Sequence, residues 1–289
     1  MYEQEFINYL SKVRRCSERT VQSYENNINL FNKFLGKKNK NIIDAKPVDI
    51  RDYIEHIMEN GLQPSSVNQY LSSFRTFYDF CCRFYNLERN PAAGIRDVRT
   101  PKKLPKFISE KKMNYLIDFL LPKSDFKRMR TRIVILIFYH CGLRCKELVS
   151  LSINDVNFTN NSIKVIGKGD KERIIPFGIE LRNNLIEYLK FRSQINTKTK
   201  SLIVTINGMP CNCYHIRTIT KLALKRIVPE ELQHPHVLRH SFATALMNNG
   251  AKIENVSLLL GHSSINTTAI YQHTSINYLR HIFKQSFSR

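Results

Sequence analysis

Arg99-Thr-Pro-Lys-Lys-Leu-Pro-Lys106 decides how this chain is divided. Two prolines, four cations and no acid make it an extended basic connector, because each proline lacks an N–H and fixes its own φ. Upstream, the pattern is helical throughout. Phe6, Tyr9, Leu10 and Val13 recur at helical spacing, as do Val21, Tyr24, Ile28, Phe31 and Leu35, with Ser17 placed to cap the second run. Ile50, Tyr53, Ile54 and Ile57 form a third stripe ended by Gly61, and Pro64 opens a fourth through Val67, Tyr70, Leu71, Phe74, Phe77 and Tyr78. Short connections between such stripes predict a small bundle with its aromatic residues in the core. Downstream, the pattern is mixed. Arg132 to Tyr139 reads as a buried helix interrupted at Gly142, and Ser162–Ile166 and Arg173–Phe177 alternate as two strands around the turn Gly167-Lys-Gly-Asp-Lys171. Helical patterns resume at Glu180–Arg192, Tyr214–Arg226, His240–Asn248, Ile253–Leu260 and Ser275–Phe283. The expected fold is therefore mainly α with a small antiparallel β-sheet. Residues 1–98 form a helical domain, 99–106 a linker and 107–289 a mixed second domain.

Charge separates the two halves further. The 289 residues carry 45 Lys+Arg against 24 Asp+Glu, a net +21. Residues 1–100 contribute +3 of it and residues 101–289 contribute +18, so an expected polyanionic partner belongs mainly to the second domain. Hydrophobic residues at 42% exclude a solvated polybasic tail as the main reading. The longest apolar run, Ile133–Tyr139, is far short of the roughly 20 residues of a membrane span, and Glu3 and Glu5 stand where a signal peptide would carry lysine. A cytoplasmic, nucleoid-associated protein is expected. Seven cysteines, with Cys81 and Cys82 adjacent, do not suggest a disulfide framework. Cys211-Asn-Cys213 with His215 falls short of the usual zinc-ligand spacing, so no metal is expected.

Several residues could carry chemistry. Gly167-Lys168-Gly169 is not a nucleotide-binding loop: the motif requires Gly five positions before its Gly-Lys pair and Ser or Thr after it, where this chain has Ser162 and Gly169. What remains is a lysine at a hairpin tip. His234-Pro-His-Val-Leu-Arg-His240 places His236 and Arg239 three apart, on one face if helical. Leu260-Gly-His262 and Thr267-Thr-Ala-Ile-Tyr271 follow, and Arg144 and Glu147 lie upstream in Cys141-Gly-Leu-Arg-Cys-Lys-Glu-Leu148. Taken singly, each has a plain structural alternative as a cap or a core group. Together they suit phosphoryl transfer to a tyrosine, which needs a nucleophilic oxygen, cations for the non-bridging oxygens and an acid for the leaving alkoxide. Arginine fits the second task because its planar fork binds two oxygens and keeps its proton.

These blocks resemble the tyrosine recombinases, and among them the Xer-type recombinases of bacteria. Gly142-Leu-Arg144 with Glu147-Leu148 looks like the family's first arginine motif. Gly167-Lys-Gly-Asp-Lys-Glu-Arg-Ile-Ile-Pro176 is similar to its lysine hairpin, and His236-Val-Leu-Arg239 to its His-x-x-Arg block. Leu259-Leu-Gly-His262 and Thr267–Tyr271 match the second histidine and the nucleophile. Leu71-Ser-Ser-Phe-Arg-Thr-Phe77 and Asn90-Pro-Ala-Ala-Gly94 extend the likeness into the first domain, and Leu104-Pro-Lys106 into the linker. The ending Ser286-Phe-Ser-Arg289 and Gln272 depart from the usual Xer pattern.

The resemblance implies a SAM-like core-binding domain followed by a tyrosine recombinase catalytic domain. It implies Tyr271 as nucleophile, Arg144, Arg239 and His262 on the phosphate oxygens, Lys168 as acid for the 5′ oxygen, His236 as proton acceptor and Glu147 in support. Arg75, Arg99, Lys102, Lys103, Lys106, Lys171 and Arg173 are the expected DNA contacts. No cofactor is implied, since the phosphotyrosine stores the energy of the broken bond. Four protomers, identical or shared with a paralogue, would exchange strands of two duplexes through a Holliday junction, each docking a C-terminal helix on its neighbour. Such chemistry serves chromosome dimer resolution, element integration and excision, or DNA inversion. Two alternatives stand beside it. One is a metal-dependent HUH-type relaxase using His234 and His236; the other is a non-catalytic basic DNA-binding protein.

Overall fold

The computed structural model describes residues 2–100, 106–121, 125–167 and 171–261. It separates into two units, Met1–Lys103 and Leu104–Arg289.

In the first unit, α1 (Tyr2–Asn8) runs into a π-helical turn at Tyr9–Val13, followed by α2 (Glu18–Gly36), α3 (Pro47–Glu59) and α4 (Pro64–Phe84). Ser17 caps α2 by accepting the Thr20 N–H at 3.3 Å. Beyond α3, Gly61 takes a left-handed φ of +84°. There the Leu62 N–H reaches Ile57 O at 3.0 Å and the Gly61 N–H reaches Met58 O at 2.9 Å, so the last carbonyls of α3 are satisfied as the chain reverses. The apolar stripes converge on Phe6, Phe31, Phe74, Phe77 and Tyr78, all fully buried. These rings are core, with the Tyr78 hydroxyl donating to Ile42 O at 2.8 Å. Val13 departs from the expected stripe: the π-turn rotates it outward and it is exposed.

The second unit is built around α6 (Phe126–Cys141), preceded by α5 (Glu110–Phe119). Ile133 through Cys141 are all buried, so the second half of α6 is a central helix covered on every side. Gly142 ends it with φ +60°, and a Cβ there would lie 2.4 Å from Phe242 Cδ1. Conformation and space both require glycine at this position. Then come α7 (Cys145–Ser150), β1 (Val156–Asn157), β2 (Ser162–Ile166), β3 (Glu172–Pro176) and α8 (Ile179–Ser193). They are followed by α9 (Cys213–Leu224), α10 (Pro235–Asn248) and α11 (Ile253–Leu260).

The three strands form an antiparallel sheet in order β1-β2-β3, with Ile163 opposite Ile175 and Val165 opposite Arg173. Ile163, Val165 and Ile175 turn one face into the core. The two-residue β1 is too short to leave an alternating pattern in the sequence. Helix α10 starts at Pro235, five residues before the sequence pattern suggests, because His234 caps it and Pro235 suits a first helical turn. The expected helix at 275–283 lies outside the described residues.

Candidate active site

The site is assembled where α7 begins and α11 ends. Arg144 is the N-cap of α7 and keeps an extended backbone (φ −78°, ψ 153°). Three residues on, the Glu147 carboxylate turns back: Oε2 accepts the Arg144 backbone N–H at 2.7 Å, and Oε1 accepts Arg144 Nη1 at 2.8 Å. An acid at the third helical position thus satisfies an orphan N–H and favours the positive end of the helix. It also holds the guanidinium that cap residue carries.

Arg239 reaches the same place from α10. Its Nη1 donates to Gly142 O at 2.6 Å, its Nη2 to Leu260 O, and Nη1 lies 4.0 Å from Glu147 Oε2. From β3, Arg173 places Nη1 and Nη2 on the two Glu147 oxygens at 3.0 and 2.8 Å, while its Nε donates to Leu259 O at 2.8 Å. Arg144 Nη2 then reaches Gly261 O at 3.1 Å. Leu259, Leu260 and Gly261, the last carbonyls of α11 and its cap, therefore each accept from a different guanidinium. These carbonyls form the negative end of the helix dipole, so cations gather there for a physical reason. Gly261 ends α11 with φ +65°, and a Cβ on it would come within 3.2 Å of Arg173 Nη1.

Accessibility distinguishes the three arginines. The side chains of Arg173 and Arg239 are 12% and 8% exposed, whereas that of Arg144 is 36% exposed. Burial acts to raise the Glu147 pKa, but hydrogen bonds from Arg173 and the Arg144 N–H outweigh it and hold the carboxyl at about 2. Burial and the charges of Arg144 and Arg173 bring Arg239 down to about 10, opposed by Glu147, so it remains a cation at neutral pH. Among the described residues, three guanidiniums against one carboxylate leave this end of the unit positive, as an anion site requires.

His236 lies one helical turn before Arg239, on the exposed rim of α10. Although the residue as a whole is exposed, partial desolvation of its ring lowers its pKa first, followed by the charges of His234, Arg239, His240 and Arg217. The ring is thereby biased to the neutral form, able to accept a proton. His234 caps α10 by accepting the Val237 N–H at its Nδ1, 3.3 Å away. His215 is engaged similarly, taking the Asn212 N–H at its Nδ1 at 3.3 Å where α9 begins.

The expected DNA contacts fall into two sets. Arg99 and Lys171 are exposed, and Lys106 is exposed and paired with Glu231 at 2.5 Å. Arg75 is partly covered, donating to Ile95 O at 2.6 Å and pairing with Asp97 at 2.8 Å. Arg173 is set apart from these: its side chain is largely covered and bound to Glu147. Within β3, Arg173 has the parity of buried Ile175 and the opposite parity to exposed Ile174. Lys102, Lys103, Lys168, His262 and Tyr271 lie outside the described residues. The structure thus brings together Arg144, Glu147, Arg239 and His236, and adds Arg173.

A family model described as the phage integrase family matches residues 106–277, and one described as the phage integrase N-terminal SAM-like domain matches residues 4–83. The tyrosine recombinase XerC of Staphylococcus haemolyticus is 33% identical over 98% of this chain and 96% of its own length. XerC of Listeria innocua is 32% identical over 99% and 97%. Among solved structures, XerA recombinase is 28% identical with a TM-score of 0.51, covering 100% of this chain and 99% of its own. The XerH site-specific recombinase bound to a palindromic difH substrate superposes with a TM-score of 0.75 at 20% identity, over 98% of this chain and 81% of that one, a likeness of fold.

Proposed function

The chain belongs to the phage integrase family of tyrosine recombinases, and from that membership we propose that it is a site-specific recombinase that cuts and rejoins duplex DNA through a 3′-phosphotyrosyl intermediate. The observation that carries the reading is the fixed pair of Arg144 and Arg239 around Glu147, with neutral-biased His236 one turn away on α10. Two guanidiniums held by other groups need no reorganisation when charge accumulates on the non-bridging oxygens. In the proposed reaction Tyr271 Oη attacks phosphorus and gives its proton to His236. The bond from phosphorus to O5′ breaks, and O5′ takes a proton from Lys168. Reversal by a different 5′-hydroxyl joins a new strand, with no nucleotide hydrolysed. His262, the residue after Gly261 in the chain, joins the arginines on the phosphate.

Exchange in pairs through a Holliday junction calls for four protomers on two duplexes, identical or shared with a paralogue. The C-terminal segment 277–287 is the proposed docking helix. Arg99, Lys102, Lys103, Lys106 and Lys171 are the proposed phosphate contacts, and the cytoplasmic nucleoid the place of action. A relaxase built on His234 and His236 is not favoured, because His234 uses its Nδ1 to cap α10.

The test begins with covalent adducts trapped from the protein's own genome and sequenced to give its site. A duplex nicked just beyond the scissile phosphate of that site should then accumulate a 3′ protein adduct with wild-type protein, undiminished by EDTA, and none with Tyr271→Phe. No adduct from wild type, a 5′ linkage, or equal trapping by Tyr271→Phe would overturn the proposal.

A further inference from the structure

We propose that Arg173 is a positioning residue, one that fixes Glu147 and the end of α11 so that Arg144 is presented to the scissile phosphate. This rests on the recombinase reading above and assigns a task within that site. A surface strand arginine has no need to be buried, and burying one is costly without hydrogen bonds in compensation. Arg173 meets that cost with its whole fork: Nη1 and Nη2 grip both Glu147 oxygens, and Nε holds Leu259 O. A bidentate guanidinium–carboxylate pair fixes the plane of the carboxylate as well as its position. The same two oxygens hold the Arg144 backbone N–H and side chain.

One rigid carboxylate therefore transmits the position of β3 to Arg144. The Nε bond adds the last turn of α11, whose next carbonyls are held by Arg239 and Arg144. Three elements distant in sequence, α7, β3 and α11, are thus fixed in register through one side chain. The strand that supplies it begins four residues after Lys168 in the chain.

At 12% exposure, Arg173 is poorly placed to touch DNA itself. Its effect should be on rate, since a misplacement near 1 Å at a reacting centre costs about 100-fold. Lysine cannot substitute, because a point ammonium cannot make three divergent in-plane bonds.

The test uses the full chain on the nicked duplex of its own site. Wild-type adduct formation first establishes the recombinase reading; without it that reading fails, whatever the variants do. Arg173→Ala and Arg173→Lys are each expected to bind the duplex within about threefold of wild type, with the same salt slope. Both should lower the adduct rate about 100-fold. A second substrate carries a methylphosphonate at the scissile position, which removes the non-bridging negative charge that Arg144 is held to neutralise. On it, Arg173→Ala should recover most of its loss relative to wild type, in parallel with Arg144→Ala. Four results would overturn the assignment: cleavage at the wild-type rate; a salt slope lowered by about one with binding and cleavage lost together, which marks a phosphate contact; equal loss on both substrates, which marks a folding defect; or full rescue by Arg173→Lys, which reduces the role to charge.

Discussion

Glu147 is the residue on which the site turns, since its two oxygens meet Arg144, Arg173 and Arg239. Removing the one acid from among three guanidiniums leaves them mutually repelling in a buried place. Glu147→Gln should therefore lower stability at pH 7 by about 3 kcal/mol, the value of moving a carboxyl from an ordinary 4.5 to about 2. The sign follows from the direction of the shift. A depressed folded-state pKa contributes stability that is fully present above the unfolded value and is lost as pH falls through 4.5 toward 2. Urea unfolding of both proteins from pH 7 to pH 3 should show a gap constant above about pH 5.5 and narrowing below it. A gap independent of pH would mean that the carboxylate's charge contributes little. Arg144 and Glu147 are both legible in the sequence because they share one short helix, the acid three residues after the cap. Arg173 is 26 residues from Glu147, and no local pattern encodes a partner at that distance.

At the scale of elements, β3 presents two identical neighbours with opposite fates. Ile174 is 60% exposed and Ile175 fully buried, though no composition or propensity scale separates them. Ile175→Ala should cost about 3 kcal/mol through lost burial and the cavity left, while Ile174→Thr should change stability by less than about 0.5 kcal/mol. Thermal denaturation of the two variants measures the difference, and similar shifts would place the strand in the wrong register. The same alternation explains why Arg173 points inward with Ile175. Reading β3 as a strand was possible from the sequence; deciding which parity is buried was not, because a basic residue on the inward face looks like a reason to call that face outer. Helix α10 shows the complementary case. Its apolar period begins late, while the cap that starts it is a histidine, outside the residue types that usually announce a helix.

At the scale of the whole molecule, the +21 charge divides by task. Exposed cations such as Lys171 gain from counterion release when they meet a phosphate, so Lys171→Ala should weaken duplex binding about uniformly across sequences and lower the salt slope by about one. Arg239, buried among carbonyls and Glu147, should behave otherwise: Arg239→Ala should stop adduct formation on the nicked site while leaving the salt slope within about 0.3 of wild type. Fluorescence anisotropy over a range of salt, run beside the adduct assay, separates the classes, and parallel loss of binding and cleavage in both variants would merge them.

The sequence by itself determined the helical first domain, the mixed second domain, the positive field and the Arg144, His236 and Arg239 blocks. Each is written in local spacing or in composition, and local spacing survives without the fold. Only the tertiary structure decided that Arg173 belongs to the interior of the site and that the end of α11 is held by guanidiniums from three elements. Those facts depend on which face of a strand is buried and on which carbonyls a folded chain leaves without partners. Both are properties of packing over long sequence separations, and packing is what the linear order of residues does not state.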